Sequence, residues 1–197
     1  MIFRRSVPRR TYADYTRYRR LLRADFRNRC AYCLRREFFV GGEAGMAIDH
    51  HRPRNGAFAR PDLSSVYENL YWCCAECNQN KGDTWPAPGD YDAGCRFIDP
   101  CRAEDDHDHH LRANADGTLT PLTPAGEYTD THLLLWCPSL VYHRARSFRW
   151  QGEHAALLSL LADHALPAAE SARIESRLAE LAEWIEPPVF DRAARRR

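Results

Sequence analysis

Apolar residues recur at helical intervals near the start of the chain. Tyr15, Tyr18, Leu22 and Phe26 fall at i, i+3, i+7 and i+11, on one face of a helix predicted over residues 11–29. Arg17, Arg20, Arg23 and Arg27 share the opposite face, and Thr11 with Asp14 three residues on is a candidate N-cap. A tight knuckle at Cys30–Cys33 and a turn at Gly41, Gly42 and Gly45 follow. Residues 46–50 then read as a short strand ending at the acid and histidine, 52–65 read as a loop, and 70–73 read as a returning strand with Asn69 at its entry. Residues 75–81 suit a short helix, with Gly82 supplying a left-handed stop.

Beyond this point the pattern thins. Residues 84–100 are rich in Pro, Gly and Asp and are expected to run over the surface. Asp116-Gly117 predicts a turn between Leu111 and Leu119. Residues 133–149 carry apolar positions at helical spacing, interrupted by Pro138, and 151–166 and 167–186 read as two helices. In the second of these Ile174, Leu178, Leu181 and Ile185 share a face, and Pro167 suits a first turn. Arg195 to Arg197 reads as a frayed tail. The fold class is α+β, in three stretches: a basic N-terminal helix over residues 1–29, a core over 30–88, and a loop-rich then helical extension over 89–197.

At 197 residues the chain is long enough for one domain with its own core. No apolar run approaches the ~18 residues that span a bilayer, and residues 1–10 lack the apolar stretch of a secretory signal, so a soluble cytoplasmic protein without membrane contact is expected. In a reducing compartment, eight cysteines argue for metal rather than disulfides. The net charge of +1 conceals a polarised chain. Residues 1–36 hold twelve Arg against Asp14 and Asp25, which suits a phosphate backbone, whereas residues 99–130 and 151–190 are acidic. Of 28 basic residues, Lys81 is the sole lysine.

Two Cys-x-x-Cys turns, Cys30 with Cys33 and Cys74 with Cys77, supply four thiolates for a closed tetrahedral zinc site that would join distant segments. Cys73, Cys95, Cys101 and Cys137 lack paired spacing. Between the pairs lies chemistry of another kind. Phosphodiester hydrolysis needs an activated water and neutralisation of charge on the phosphate and the leaving oxygen. His50 is a candidate base, and Asp49 and Asn78 offer the oxygen ligands that Mg²⁺ or Mn²⁺ prefers. Lys81, one turn after Asn78, and Arg52 and Arg54 are candidate contacts to nucleic acid, although either Arg could equally be an internal ion-pair partner.

The ordered set Asp-His-x-x-Pro at residues 49–53, Asn-Leu at 69–70 and Cys-x-x-Cys-Asn-x-x-Lys-Gly at 74–82 resembles the HNH, or ββα-metal, nucleases. The resemblance implies a zinc-stapled ββα-metal core. It implies a metal-dependent endonuclease acting on nucleic acid, DNA in the first instance, with 5′-phosphate products. His50 would be the general base, Asp49 and Asn78 would hold the catalytic ion, and Asn69 would order the loop that aims His50. His51 stands where many relatives carry an aliphatic or aromatic residue. In a second register, known for His-His pairs, His50 would be the ligand and His51 the base; Asp49, already an oxygen ligand, favours the first. Residues 48–54, 68–70 and 77–86 also resemble HNH proteins of Septu and retron-associated anti-phage systems, which implies an ATPase partner. The alternative is a zinc-stabilised nucleic-acid-binding module that does not cut.

Three features invite other readings. Residues 104–110, rich in Asp and His, are expected to form a solvated acidic loop rather than a second metal site. Trp72 and Trp85 are expected to supply core volume near the zinc. The C-terminal apolar face is core or a docking surface.

Overall fold

The computed structural model describes residues 3–162 and 166–185; the tail at Arg195–Arg197 and the helix end expected at Glu186 lie outside them. Two compact units divide the chain. One comprises Met1–Ala113 with Leu119–Cys137, and the other Asn114–Thr118 with Pro138–Arg197. Residues 89–137, apart from the 114–118 turn, thus pack with the first unit rather than with the C-terminal helices.

The first helix starts later than its periodicity predicts. Asp14, not Thr11, is the cap: its carboxylate accepts from the Thr16 amide at 3.0 Å, and a 3-10 turn at Tyr15–Tyr18 leads into α1 (Arg19–Asp25). Tyr18, Leu22 and Phe26 are buried as their spacing requires. The Arg face is only partly free. Arg23 holds Glu37 at 2.9 Å and Arg19 holds Glu43 at 2.8 Å, so these two guanidiniums lock the helix to the segment after the knuckle. A strap the pattern does not reveal precedes the helix. Phe3 stacks on Phe26 at 4.9 Å, Ser6 donates twice to Asp25 at 2.6 Å, and Arg5 lies 4.4 Å above the Tyr71 ring while donating to the Leu70 carbonyl.

β1 (Met46–His50) and β2 (Leu70–Cys74) pair antiparallel, with Asp49 opposite Tyr71 and His50 opposite Leu70. Strand periodicity of two puts Asp49, Tyr71 and Cys73 on one face and His50, Leu70 and Trp72 on the other. The chain then turns directly into α2 (Ala75–Lys81), with Cys74 as its N-cap. Gly82 closes the helix at φ +49°, a conformation open to glycine at little cost.

The rest of this unit supplies its outer core. After α3 (Pro88–Asp92), Phe97 and Ile98 return to the interior, which corrects the expectation that residues 84–100 stay on the surface. α4 (His107–His110) leads into a hairpin of β3 (Leu111–Ala113) and β4 (Leu119–Pro121), turned at Gly117 with φ +86°. α5 (Pro124–His132), capped by Thr123, packs its Thr129 hydroxyl on the Ile98 amide at 2.9 Å. The segment around residues 104–110 is not a solvated loop. Asp105, His107 and His110 are buried, and Asp105 pairs with Arg96 and His110.

In the second unit Pro138 opens a helix instead of interrupting one, because its missing N–H falls among donors that have no intrahelical partner. α6 (Pro138–Leu161) and α7 (Ala168–Ile185) form a helical pair, with Trp150 against Trp184 at 5.5 Å and Arg177 bridging to Glu153 at 2.7 Å. No helix among the described residues is long and apolar enough to cross a membrane.

Candidate active site and metal centre

The knuckle and the end of β2 bring the two cysteine pairs together. The sulfurs of Cys30, Cys33, Cys74 and Cys77 all lie within 4.8 Å of one another, with Cys33 and Cys74 3.8 Å apart. That spacing is far too long for a disulfide. It matches the edge of a tetrahedron with ~2.3 Å bonds to a central zinc, about 3.8 Å. Hydrogen bonds from Cys30, then Cys33 and Cys77, hold the Cys74 thiol far below its ordinary range, while sharing first with Cys30 pushes Cys33 and Cys77 up. Four buried sulfurs this close can all ionise only around a cation, so the donor set fits zinc. The Cys77 amide, 3.5 Å from the Cys74 sulfur, and Arg35, at 3.7 Å, point donors at the thiolate. Arg35 also pairs with Glu76 at 2.6 Å. Cys73, next to a member of the quartet, faces the other way and is buried as a thiol.

Asp49 and His50 end β1 on opposite faces. The Asp49 carboxylate is buried beneath α2. One oxygen accepts from the Lys81 ammonium at 3.2 Å and the other from the Tyr32 hydroxyl. Asn78 stands one turn before Lys81, on the same side of α2. Asp49 and Asn78 are both hard oxygen donors and fit a divalent cation better than a soft one.

His50 is buried against Tyr15, whose ring meets it edge-on at 4.7 Å. Its Nε2 lies 2.9 Å from the Ser64 carbonyl oxygen. A carbonyl only accepts, so Nε2 carries the proton and Nδ1 keeps its lone pair. Burial lowers the His50 pKa against the Ser64 hydrogen bond, which raises it, and Arg54 adds to the lowering, so the fold favours the neutral ring. Asn69 closes the loop between the strands. Its carbonyl accepts from the Arg52 amide at 2.8 Å, and its amide donates to the carbonyls of Arg52 at 3.0 Å and Leu63 at 3.3 Å.

His51 occupies a different environment. Its ring stacks on Tyr71 at 4.6 Å and meets Trp85 edge-on at 5.3 Å, with Nδ1 enclosed and unpartnered. Burial pushes its pKa down to about 4. Arg52 lies 4.7 Å above the Trp85 ring and donates to the Phe58 carbonyl, whereas Arg54 is exposed beside Tyr15. Lys81 corrects an expectation. As a contact to nucleic acid it would need to reach solvent, but it is 0% exposed and is spent on Asp49 and on the His50 carbonyl at 2.9 Å.

Two partners escaped the sequence. Tyr32 holds Asp49 from inside the Cys-x-x-Cys turn, where no spacing marks it. Ser64 holds His50 through its backbone, which leaves no side-chain signal.

Residues 30–84 match the family model described as HNH endonuclease. The matched segment, less than a third of the chain, begins at the first cysteine of the quartet and ends just after α2. An HNH endonuclease domain therefore lies on the strand pair, its loop and the following helix, and it implies a metal-dependent nuclease acting on nucleic acid. No curated protein and no solved structure matches the chain.

Proposed function

We propose that the chain is a metal-dependent endonuclease in which His50 is the general base, Asp49 and Asn78 hold one Mg²⁺ or Mn²⁺, and the four cysteines hold a structural zinc. The observation that carries this reading is the state of His50. Its Nε2 is held by the Ser64 carbonyl, which leaves the Nδ1 lone pair to take a proton from water, and burial favours the neutral ring. The ion, when bound, supplies charge neutralisation at the phosphate and the leaving oxygen. Asn69 holds the loop that carries the Ser64 acceptor, and so acts on His50 through it. Arg54, exposed beside the His50 wall, is the cation placed to meet a substrate phosphate, with Arg52 braced behind it. The enclosed, unpartnered Nδ1 of His51 beside Tyr71 and Trp85 supports His50 rather than His51 as the base.

The resemblance over residues 48–54, 68–70 and 77–86 supports a role as the nuclease effector of an anti-phage system, cytoplasmic and activated by an ATPase subunit. The test is cleavage of supercoiled plasmid by zinc-loaded protein with Mg²⁺ or Mn²⁺, beside EDTA and His50→Ala. Metal-dependent nicking that the substitution removes supports an autonomous nuclease. Absence of nicking by the chain alone, restored by an ATPase subunit, supports the effector reading. DNA affinity without cutting under either condition would leave a binding module.

A further inference from the structure

We propose that the buried Asp49–Lys81 pair makes divalent-ion binding conditional on the substrate phosphate, and that Lys81 imposes the condition. The inference rests on the reading of Asp49 and Asn78 as ligands and goes beyond it.

Tight divalent sites gather several negative charges around the ion. Here one carboxylate faces α2, and its charge is already matched. Lys81 Nζ sits 3.2 Å from Asp49 Oδ1, the pair is 0% and 5% exposed at the side chains, and Tyr32 donates to the second oxygen. Asn78, an amide, adds no charge. Among the described residues, the cysteine quartet is the one group of three or more acids, histidines or cysteines close enough to hold an ion. The formal charge of Asp49, Lys81 and Asn78 together is therefore zero. A phosphodiester brings the missing negative charge, so ion and phosphate enter together.

Lys81 is suited to this task in a way arginine is not. Every other basic side chain in the protein is Arg, yet this position keeps a lysine. Its pocket offers two acceptors, Asp49 Oδ1 and the His50 carbonyl, under the Phe97 ring 5.5 Å away. A compact ammonium satisfies that geometry; a planar guanidinium with five donors would bring bulk and leave N–H groups buried without partners. The same ammonium ties the C-terminal end of α2 to the two residues that end β1, so charge and position are set by one atom.

The test is Mn²⁺ binding to the zinc-loaded full chain, read by titration calorimetry and by the electron paramagnetic resonance signal of the free ion. Wild-type protein is expected to bind Mn²⁺ weakly alone. With DNA or RNA oligonucleotides, measured in a His50→Ala background to keep them intact, binding should tighten about tenfold or more. Lys81→Met and Lys81→Gln should bind Mn²⁺ about tenfold more tightly without any oligonucleotide, and gain less on adding one. A folded lysine variant that binds no tighter overturns the proposal. So does a His50→Ala protein whose affinity no oligonucleotide changes, an arm that decides the matter even if neither lysine variant folds. Asp49→Asn separates this idea from its foundation. Loss of Mn²⁺ binding in that variant keeps Asp49 as a ligand whatever the lysine variants do, and unchanged binding removes the ligand reading itself.

Discussion

His50 reaches across the inter-strand loop to the backbone of Ser64, fourteen residues away, with Nε2 2.9 Å from the carbonyl oxygen. That contact fixes which ring nitrogen carries the proton, and with it which nitrogen is free for chemistry. His51, the next residue, has no such partner on its enclosed Nδ1. Two adjacent histidines are thus given unlike surroundings by strand alternation alone.

His50→Ala is expected to reduce metal-dependent cleavage by at least ~100-fold, the usual worth of a positioned base, with zinc content and melting temperature close to wild type. His51→Phe is expected to stay active, because an aromatic ring can fill the slot between Tyr71 and Trp85. Plasmid nicking by the two purified variants checks both. An active His50→Ala beside an inactive, folded His51→Phe would exchange the roles.

Asn69→Ala should loosen the loop without unfolding the protein. The substitution strands the Arg52 amide and two carbonyls, at a cost of about 1–3 kcal/mol if water does not replace the lost partners. Hydrogen exchange should quicken in residues 51–64, where the Ser64 acceptor lies, and cleavage should fall with it. Unchanged exchange in that loop, with activity lost, would point instead to direct contact of Asn69 with substrate.

Much of this geometry was legible in the sequence, and the parts that were not have physical reasons. The short apolar runs, the cysteine spacing and the Gly82 stop are local signals, and they mark β1, β2 and α2 to within a residue. The start of α1 is not legible, because Asp14 is as good a cap as Thr11. The burial of Lys81 is not legible because lysine is seldom fully buried; its partner Asp49 is 32 residues away and comes close only when β1 packs on α2. The burial of Asp105, His107 and His110 is likewise invisible, since three polar residues in an acidic stretch give no hint that Arg96, the Tyr32 carbonyl and Thr123 will satisfy them. The helix opened by Pro138 shows the limit of periodicity: a proline reads as a break or as a beginning depending on whether a helix precedes it.

One zinc per chain is expected in the purified protein, and Cys33→Ser or prolonged chelation should remove it. The quartet joins the knuckle to the β2–α2 corner, so its loss should cost on the order of several kcal/mol and disorder both. Cobalt substitution, giving the visible bands of a tetrahedral thiolate site, would check the ligand set. Full stability with no bound metal would show that the four thiols pack without an ion.

Acid should destabilise the first unit through His107, and the sign follows from its surroundings. The ring is buried, with Nε2 3.1 Å from the Tyr32 carbonyl oxygen inside the cysteine knuckle. Burial lowers its pKa from 6.5 to about 4, against the Tyr32 hydrogen bond, which raises it. In the unfolded chain the ring takes a proton as pH falls through 6.5; in the folded chain it stays neutral until about 4. The unfolded state therefore binds more protons across this window, and stability falls as pH drops from 6.5 towards 4. A shift of this size corresponds to about 3 kcal/mol at the acid end of the window. His107→Gln, whose amide can still donate to the Tyr32 carbonyl but does not titrate, should flatten the decline. Urea denaturation at a series of pH values between 4 and 7 would measure the difference between the two proteins, with zinc content followed in parallel, because acid also protonates thiolate ligands. Curves that stay parallel across the window, with zinc retained, would remove His107 as the source.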